Sequence, residues 1–361
     1  MKKIFILTSL FIFLACINKK NVSIVELFET SQLINHQVFD IHGVEELLNP
    51  VSISTFTNNL IIRNSKTPQL FTIIDIESKR IIKHCGNSGQ GPGEFLGVMD
   101  FYNNYLETGI NIWDARLLRL SFYPYSDLMR DSIISCQNIV IGINDNEKFF
   151  DTTPTVMQID SSLFFTLGGH TNKLFTLLDT KNNIRKEIGD YPPEDLNTQI
   201  HFMLKRLAYN GKIRYNKSLK KLVYISLASE MFEIYDINDS NCELVMGNYS
   251  TTPKYGEDIQ ANGGRSVKFD LLNNGNGENM ELTISDENIY ILYQTYNKEK
   301  IEKERRLQGT GDLVLVFDWN GNPIKSYTLD CFVKTIHYDK VRNRLFAIHD
   351  NPDPEIIYFE L

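Results

Sequence analysis

The chain has 361 residues, 37 of them basic and 45 acidic, for a net charge of −8. That length is ample for a large core, and the mildly acidic balance excludes a general nucleic-acid binder, which needs basic surface to meet phosphate. The five cysteines contain no C-x-x-C pair, so the sequence gives no support to zinc-ribbon or thioredoxin-like chemistry.

The chain begins "MKKIFILTSLFIFLAC". Lys2 and Lys3 form a basic start, and Ile4 to Leu14 form an apolar run too short to span a bilayer as a helix. This is the layout of an export signal. It ends in Leu14-Ala15-Cys16, which resembles the bacterial lipobox, with Phe13 where an aliphatic residue is usual. Cys16 is therefore the expected lipidation site and membrane anchor. "INKKNVS" follows without an acidic cluster, which favours an outer-membrane anchor facing the periplasm over the cell surface. No later apolar run approaches the ~20 residues of a membrane span. Cys85, Cys136, Cys242 and Cys331 lie far apart, and an exported address leaves either disulfides or buried thiols open.

Beyond the start, short β-rich runs alternate with Asn, Gly, Asp and Pro. "LFTIIDIESK", "LFTLLDTKNN", "MFEIYDINDS" and "LVLVFDWNGN" end their apolar runs at Asp75, Asp179, Asp236 and Asp318. "RLSFYPYSDL" has Pro124 in that place and "EIIYFEL" has Glu360. An apolar strand precedes each mark, and a turn leads to another. An Asp at a strand end accepts hydrogen bonds from backbone N–H groups just ahead of it, and Asn320-Gly321 favours a tight hairpin. One unit is thus about four antiparallel strands. The spacing predicts an all-β, six-bladed β-propeller. The last unit lacks its outer strand, which "VSIVELF" or "HQVFDIH" can supply to close the ring and hide an open edge. The expected divisions are a signal peptide over 1–15, a lipidated N-terminus and tether over 16–30 that can include the closing strand, and the propeller over 31–361.

"HCGNSGQGPGEFLG" then carries a family resemblance. Gly86, Gly89, Gly91, Gly93 and Phe95, followed by Asp114, Arg119 and Phe122, are similar to the NHL-type repeat. The whole chain resembles the TolB-like six-bladed propeller lipoproteins of Gram-negative bacteria. That resemblance implies a cell-envelope binding or scaffold module and no particular reaction.

The glycine-rich stretch does not fit a phosphate cradle. A dinucleotide turn from Gly89 and Gly91 needs a third glycine where Glu94 stands, Pro92 lacks an amide hydrogen, and a strand pattern follows where a helix is required. Glycine instead suits turn dihedrals closed to other residues. No G-x-S-x-G is present, and none of the seven histidines forms an H-E-x-x-H pattern.

Propeller geometry puts the loops between second and third strands on one face. There the candidate ligand-binding residues are Arg63, Arg116, His170, Tyr296, Arg305, Arg306 and His349. The stretch from Lys298 to Arg306 holds five cations and three glutamates and reads as a flap or basic lid. The expectation is a non-catalytic module for a protein, peptide or glycan partner, with no cofactor and no nucleic acid. The alternative is a metal-dependent hydrolase or lyase of the propeller-lactonase type, holding a divalent cation with residues such as Asp114 and Asp236.

Overall fold

The computed structural model is all-β and describes residues 18–20, 22–42, 49–91, 93–130, 137–141, 155–168, 173–192, 202–238, 241–259, 265–269, 278–295, 309–350 and 353–361. Cys16, Cys136, His170, Tyr296, Arg305 and Arg306 lie outside the described residues.

Antiparallel sheets follow one another along the chain. The first pairs Pro50–Phe56, Asn59–Asn64, Gln69–Asp75 and Arg80–Ser88 in order, with Glu94–Phe95 added in parallel. The second runs Val98–Asn103, Gly109–Asp114, Arg119–Pro124 and Gln137–Val140. The third runs Val156–Gln158, Leu163–Leu167, Phe175–Asp179 and Ile184–Ile188. The fourth runs Gly211–Asn216, Lys221–Ser226, Phe232–Asn238 and Asn241–Asn248. The remaining strands join through Pro323–Asp339, which is 17 residues long. Its first part pairs with Gly311–Asp318, the last of Glu278–Ile284, Asn288–Gln294 and Gly311–Asp318. Its second part pairs with Arg344–Asp350, which pairs with Pro354–Glu360. A hairpin of Tyr255–Ile259 and Arg265–Phe269 precedes these strands, and the short helices Tyr125–Leu128 and Phe202–Ala208 sit in connections. No helix among the described residues is long and apolar enough to cross a membrane.

Side chains alternate across a strand, so one run feeds two cores. Ile61 and Ile73 pack forward onto Phe101, Ile110 and Ile112. Leu60, Ile62 and Ile74 pack backward onto Phe346, Ile348 and Ile356 of the last sheet. Because both faces are covered, these strands read as continuous apolar runs. Val223 and Ile234 meet Ile291 and Leu315, while Leu292 and Val316 meet Leu345 and Ile357. Burial stabilises each such side chain by about 1.5–3 kcal/mol.

The N-terminal segment follows the outer edges of the later sheets. Asn18–Lys20 runs parallel to Asn241–Asn248, Ser31–Ile34 runs parallel to the first part of Pro323–Asp339, and Gln37–Val38 pairs antiparallel with Pro354–Glu360. Within the stretch 16–30, Asn18–Lys20 is paired at a sheet edge and Ile24 and Phe28 are packed on the core. The cause is apolar: Ile24 is fully buried, and the Phe28 ring meets Phe317 edge-on with centroids 5.1 Å apart.

Candidate functional site

The glycine-rich connection is closed on itself. Gly86 and Gly93 take φ of 76° and 75°, the left-handed region that glycine tolerates. The Glu94 carboxylate accepts the Gly91 N–H at 2.8 Å, occupying the place a bound anion would need. Arg119 donates to the carbonyls of Gly91 and Glu94 and lies over the buried Phe95 ring. Asp114, fully buried, accepts the backbone N–H groups of Leu96, Gly97, Arg116 and Leu117 at 2.7–3.1 Å. It is a turn residue that ties two connections together. Asp236 pairs with Lys221 at 3.7 Å.

The described members of the expected loop-face ring are separated. Arg116 is exposed, with its stem against Gly97. His349 bonds through Nδ1 to the Phe332 carbonyl at 2.7 Å. Arg63 points inward, where its Nε donates to Ser52 Oγ at 3.0 Å. No hydrogen bond, ion pair or ring contact joins these three. Another cation lies at this end of the third sheet: Arg206 is fully buried beside Gly168 and Tyr191, and no side-chain nitrogen of it has a hydrogen-bond partner. Burial brings its pKa down to about 10.

A cavity of about 660 Å³ lies along the first strands of the sheets. Pro50–Phe56, Val98–Asn103, Val156–Gln158, Gly211–Asn216, Glu278–Ile284 and the second part of Pro323–Asp339 line it. Its mouth is formed by turns between first and second strands, where Lys340 lies 2.8 Å from Asp286 and 4.0 Å from Glu107. This is the end opposite to the glycine-rich connection.

Inside, a cluster of charges crosses between sheets. Arg214 Nη1 donates to Asp100 at 2.7 Å, and its Nη2 lies 3.9 Å from Glu281. Lys212 lies 3.8 Å from Asp100 and 3.6 Å from Glu281. Thr335 donates to Glu281 at 3.2 Å. Burial pushes the Asp100 pKa up, but attraction from Arg214 and Lys212 outweighs it and holds the carboxyl below its ordinary value. Arg214 is held above its ordinary value for the reciprocal reason, attraction to Asp100 and Glu281 outweighing burial. His337 bonds Thr55 Oγ1 at 3.1 Å and is neutral: burial, aided by Arg214, brings its pKa down to about 3.

Arg63 is the surplus charge. Burial lowers its pKa, and Asp100 and Glu281 offset this only in part because neither touches it. Three cations thus face two carboxylates, and the third has a serine hydroxyl as its partner. A ligand that brings one negative charge completes the set. Arg214, Lys212, Asp100, Glu281 and His337 were not among the residues singled out from sequence. Their signal is charge at alternate positions of apolar strands, as in "KIRY" and "TIHY".

A family model described as TolB-like 6-blade propeller-like matches residues 29–340. No curated protein matches the chain. Among solved structures, a member of the DUF4221 family from Bacteroides vulgatus is similar with a TM-score of 0.57 and 13% identity, over 91% of this chain and 96% of that one. A candidate exported protein of Bacteroides fragilis is similar with a TM-score of 0.52 and 13% identity, over 94% and 97%. At that identity the likeness is one of fold.

Proposed function

The chain belongs to the TolB-like 6-blade propeller-like family, and on that premise we propose that it is an exported, lipid-anchored propeller that binds its ligand without transforming it. The blades are six, and Gln37–Val38 closes the ring by completing the last one. Its antiparallel pairing with the final strand and the packing of the last sheet against the first support this. The lipobox-like start and the exported character of the Bacteroides fragilis relative support an envelope address, with Cys16 anchored in the outer membrane and the propeller in the periplasm. Asn18–Lys20 pairs with the edge of the fourth sheet only two residues beyond Cys16, so such an anchor holds that edge close to the lipid surface.

The ligand is a carboxylate-bearing group, such as a peptide C-terminus or an acidic sugar, seated in the axial cavity. The observation that carries this reading is Arg63, a buried cation bonded to the lining residue Ser52 that no carboxylate among the described residues contacts. The lactonase-type alternative needs carboxylates free to hold a divalent ion near the axis. Here Asp100 and Glu281 are each engaged by Arg214 and Lys212, and Asp114 is spent on four backbone amides.

The test is a thermal-shift panel on the purified chain, with N-acetyl dipeptides as free acids and as C-terminal amides, and with glucuronic acid against glucose. Free acids are expected to raise the melting temperature and their neutral partners are not. Equal shifts for acids and neutral partners would sink the carboxylate reading, and conversion of an added compound to product would sink the binding-only reading. The anchor has its own test. Cys16→Ser is expected to release the protein from membranes, and persistence there without detergent refutes lipidation.

A further inference from the structure

A second cluster lies at the rim, where the N-terminal segment passes from one sheet to the next. Ser31–Ile34 and Gln37–Val38 pair with different sheets, and His36 lies between them. It meets the long strand Pro323–Asp339 where that strand passes between its two sheets, at Asp330 and Cys331. The His36 N–H donates to Asp330 Oδ1 at 3.1 Å, and its ring Nδ1 lies 2.9 and 3.0 Å from the two carboxylate oxygens. One ligand atom each from His36, Asp330 and Cys331 lies within 4.8 Å of the other two. His349 stands beside them but outside that 4.8 Å group, its ring centroid 6.1 Å from that of His36. Its Nδ1 faces the Phe332 carbonyl at 2.7 Å, and a carbonyl only accepts, so Nδ1–H is the donor there and Nε2 is the nitrogen left to bind a metal. Metal-binding histidines are commonly fixed in this way, with the second ring nitrogen donating to a backbone carbonyl.

We propose that His36, Asp330 and Cys331, with His349 as fourth ligand, form a binding site for a zinc-like divalent cation. The donor set selects the class of ion. A thiolate and two imidazoles suit a borderline-soft, tetrahedral ion, whereas magnesium and calcium take oxygen ligands. The spacing of the first three suits an ion, and His349 has to swing inward to complete the four. Ligands held tetrahedrally at zinc distances lie roughly 3.3 Å apart, so the His36–Asp330 separation of 2.9 Å requires only a small opening. Side chains of His36 and Asp330 are 30% and 25% exposed, which leaves the ion a route in from solvent. Without an ion, burial and the Asp330 carboxylate push the Cys331 thiol up to about 12. A bound dication reverses that field: the sulfur donates its lone pair to the metal and its proton leaves to solvent. The ion would fasten the N-terminal segment to the last two sheets. This inference is independent of the axial cavity and stands or falls without it.

The full chain, purified and stripped with a chelator, is titrated with Zn²⁺ against a chromophoric competitor and separately with Co²⁺. One equivalent is expected to bind, and the cobalt form is expected to show a thiolate-to-metal charge-transfer band. Cys331→Ser removes the band and Cys85→Ser keeps it. His36→Ala weakens binding by more than the about 10- to 100-fold typical of losing an outer-shell partner. His349→Gln weakens it as well, and circular dichroism confirms that each variant is folded. A wild-type cobalt complex without the thiolate band, or no stoichiometric binding, overturns the site whatever the variants do. Unchanged affinity in His349→Gln removes that residue as a ligand and overturns the four-ligand form.

Discussion

At the scale of single residues, carboxylates do two kinds of work. Asp114 is an acceptor for four amides, so Asp114→Ala leaves buried donors unsatisfied at about 1–3 kcal/mol each, less what water recovers. Urea denaturation is expected to show a loss of about 3 kcal/mol or more, with Asp114→Asn in between. Asp75, Asp179 and Asp318 cap turns in the same manner. Hydrogen bonds from Ser78 and Asn183 hold Asp75 and Asp179 below the ordinary carboxylate value, Asp179 at about 2. At Asp318 the bonds from Asn322 outweigh an opposing effect of burial. A depressed carboxylate contributes stability that is present above its unfolded pKa and is lost as pH falls through the folded one, so the Asp179 cap fails between about pH 4 and about pH 2, and the Asp75 and Asp318 caps fail as pH falls below the ordinary carboxylate value. His337 acts higher on the scale. Its folded pKa of about 3 lies below the ordinary value of 6.5, so the unfolded chain takes up the proton first and stability falls as pH drops through that window. Denaturation midpoints measured from pH 7 to pH 4 are expected to slope less in His337→Gln, and an unchanged slope contradicts a buried neutral imidazole. The turn role of the aspartates was legible because a strand-end Asp has a local reason to be there. The charges of the axial cluster were less so. Their partners lie on other sheets, more than 100 residues apart for Asp100 and Arg214, and sequence spacing carries no trace of that meeting.

At the scale of elements, the repeat was readable because the middle strands of the sheets are apolar on both faces and most of their turns are marked. Ile61 shows the cost of breaking that pattern. It is fully buried between two sheets, so Ile61→Ala is expected to destabilise by about 2–5 kcal/mol in chemical denaturation. Strand limits were less readable. "PIKSYTLD" and "VKTIHYD" look like two strands, yet they form parts of one, Pro323–Asp339, that changes partners across a register shift. Only tertiary pairing decides such a boundary. The N-terminal segment shows the same limit. Its apolar residues were visible, and "HQVFDIH" was one of two candidates for the strand beside the last one, but nothing local chose it over "VSIVELF" or said that Ile24 would share a core with Trp319 and Phe317. Truncation through residue 38 bares the edge of Pro354–Glu360 and exposes part of that core. It is expected to lower the melting temperature and promote association through the open edge, as read by light scattering. A truncated chain that stays monomeric and equally stable contradicts the closing role.

At the scale of the molecule, fold and ligand come from different residues. The Bacteroides structures share the architecture at 13% identity, because alternating apolar strands with marked turns suffice for it. That architecture says nothing of the charges in the axial cavity, so the ligand must be argued from Arg214, Lys212, Asp100 and Glu281, which line it, and from Arg63, which bonds the lining residue Ser52 from behind the wall. The central claim is that the positive charge of Arg63 favours an anionic group in that cavity. It is tested most directly by titration calorimetry with an N-acetyl dipeptide carrying a free C-terminus, comparing the unaltered chain with Arg63→Gln. The account predicts that the variant remains folded and binds about 10- to 100-fold more weakly, the worth of one charge-assisted contact. Equal affinity in the two proteins, or equal affinity for the C-terminal amide, would contradict it.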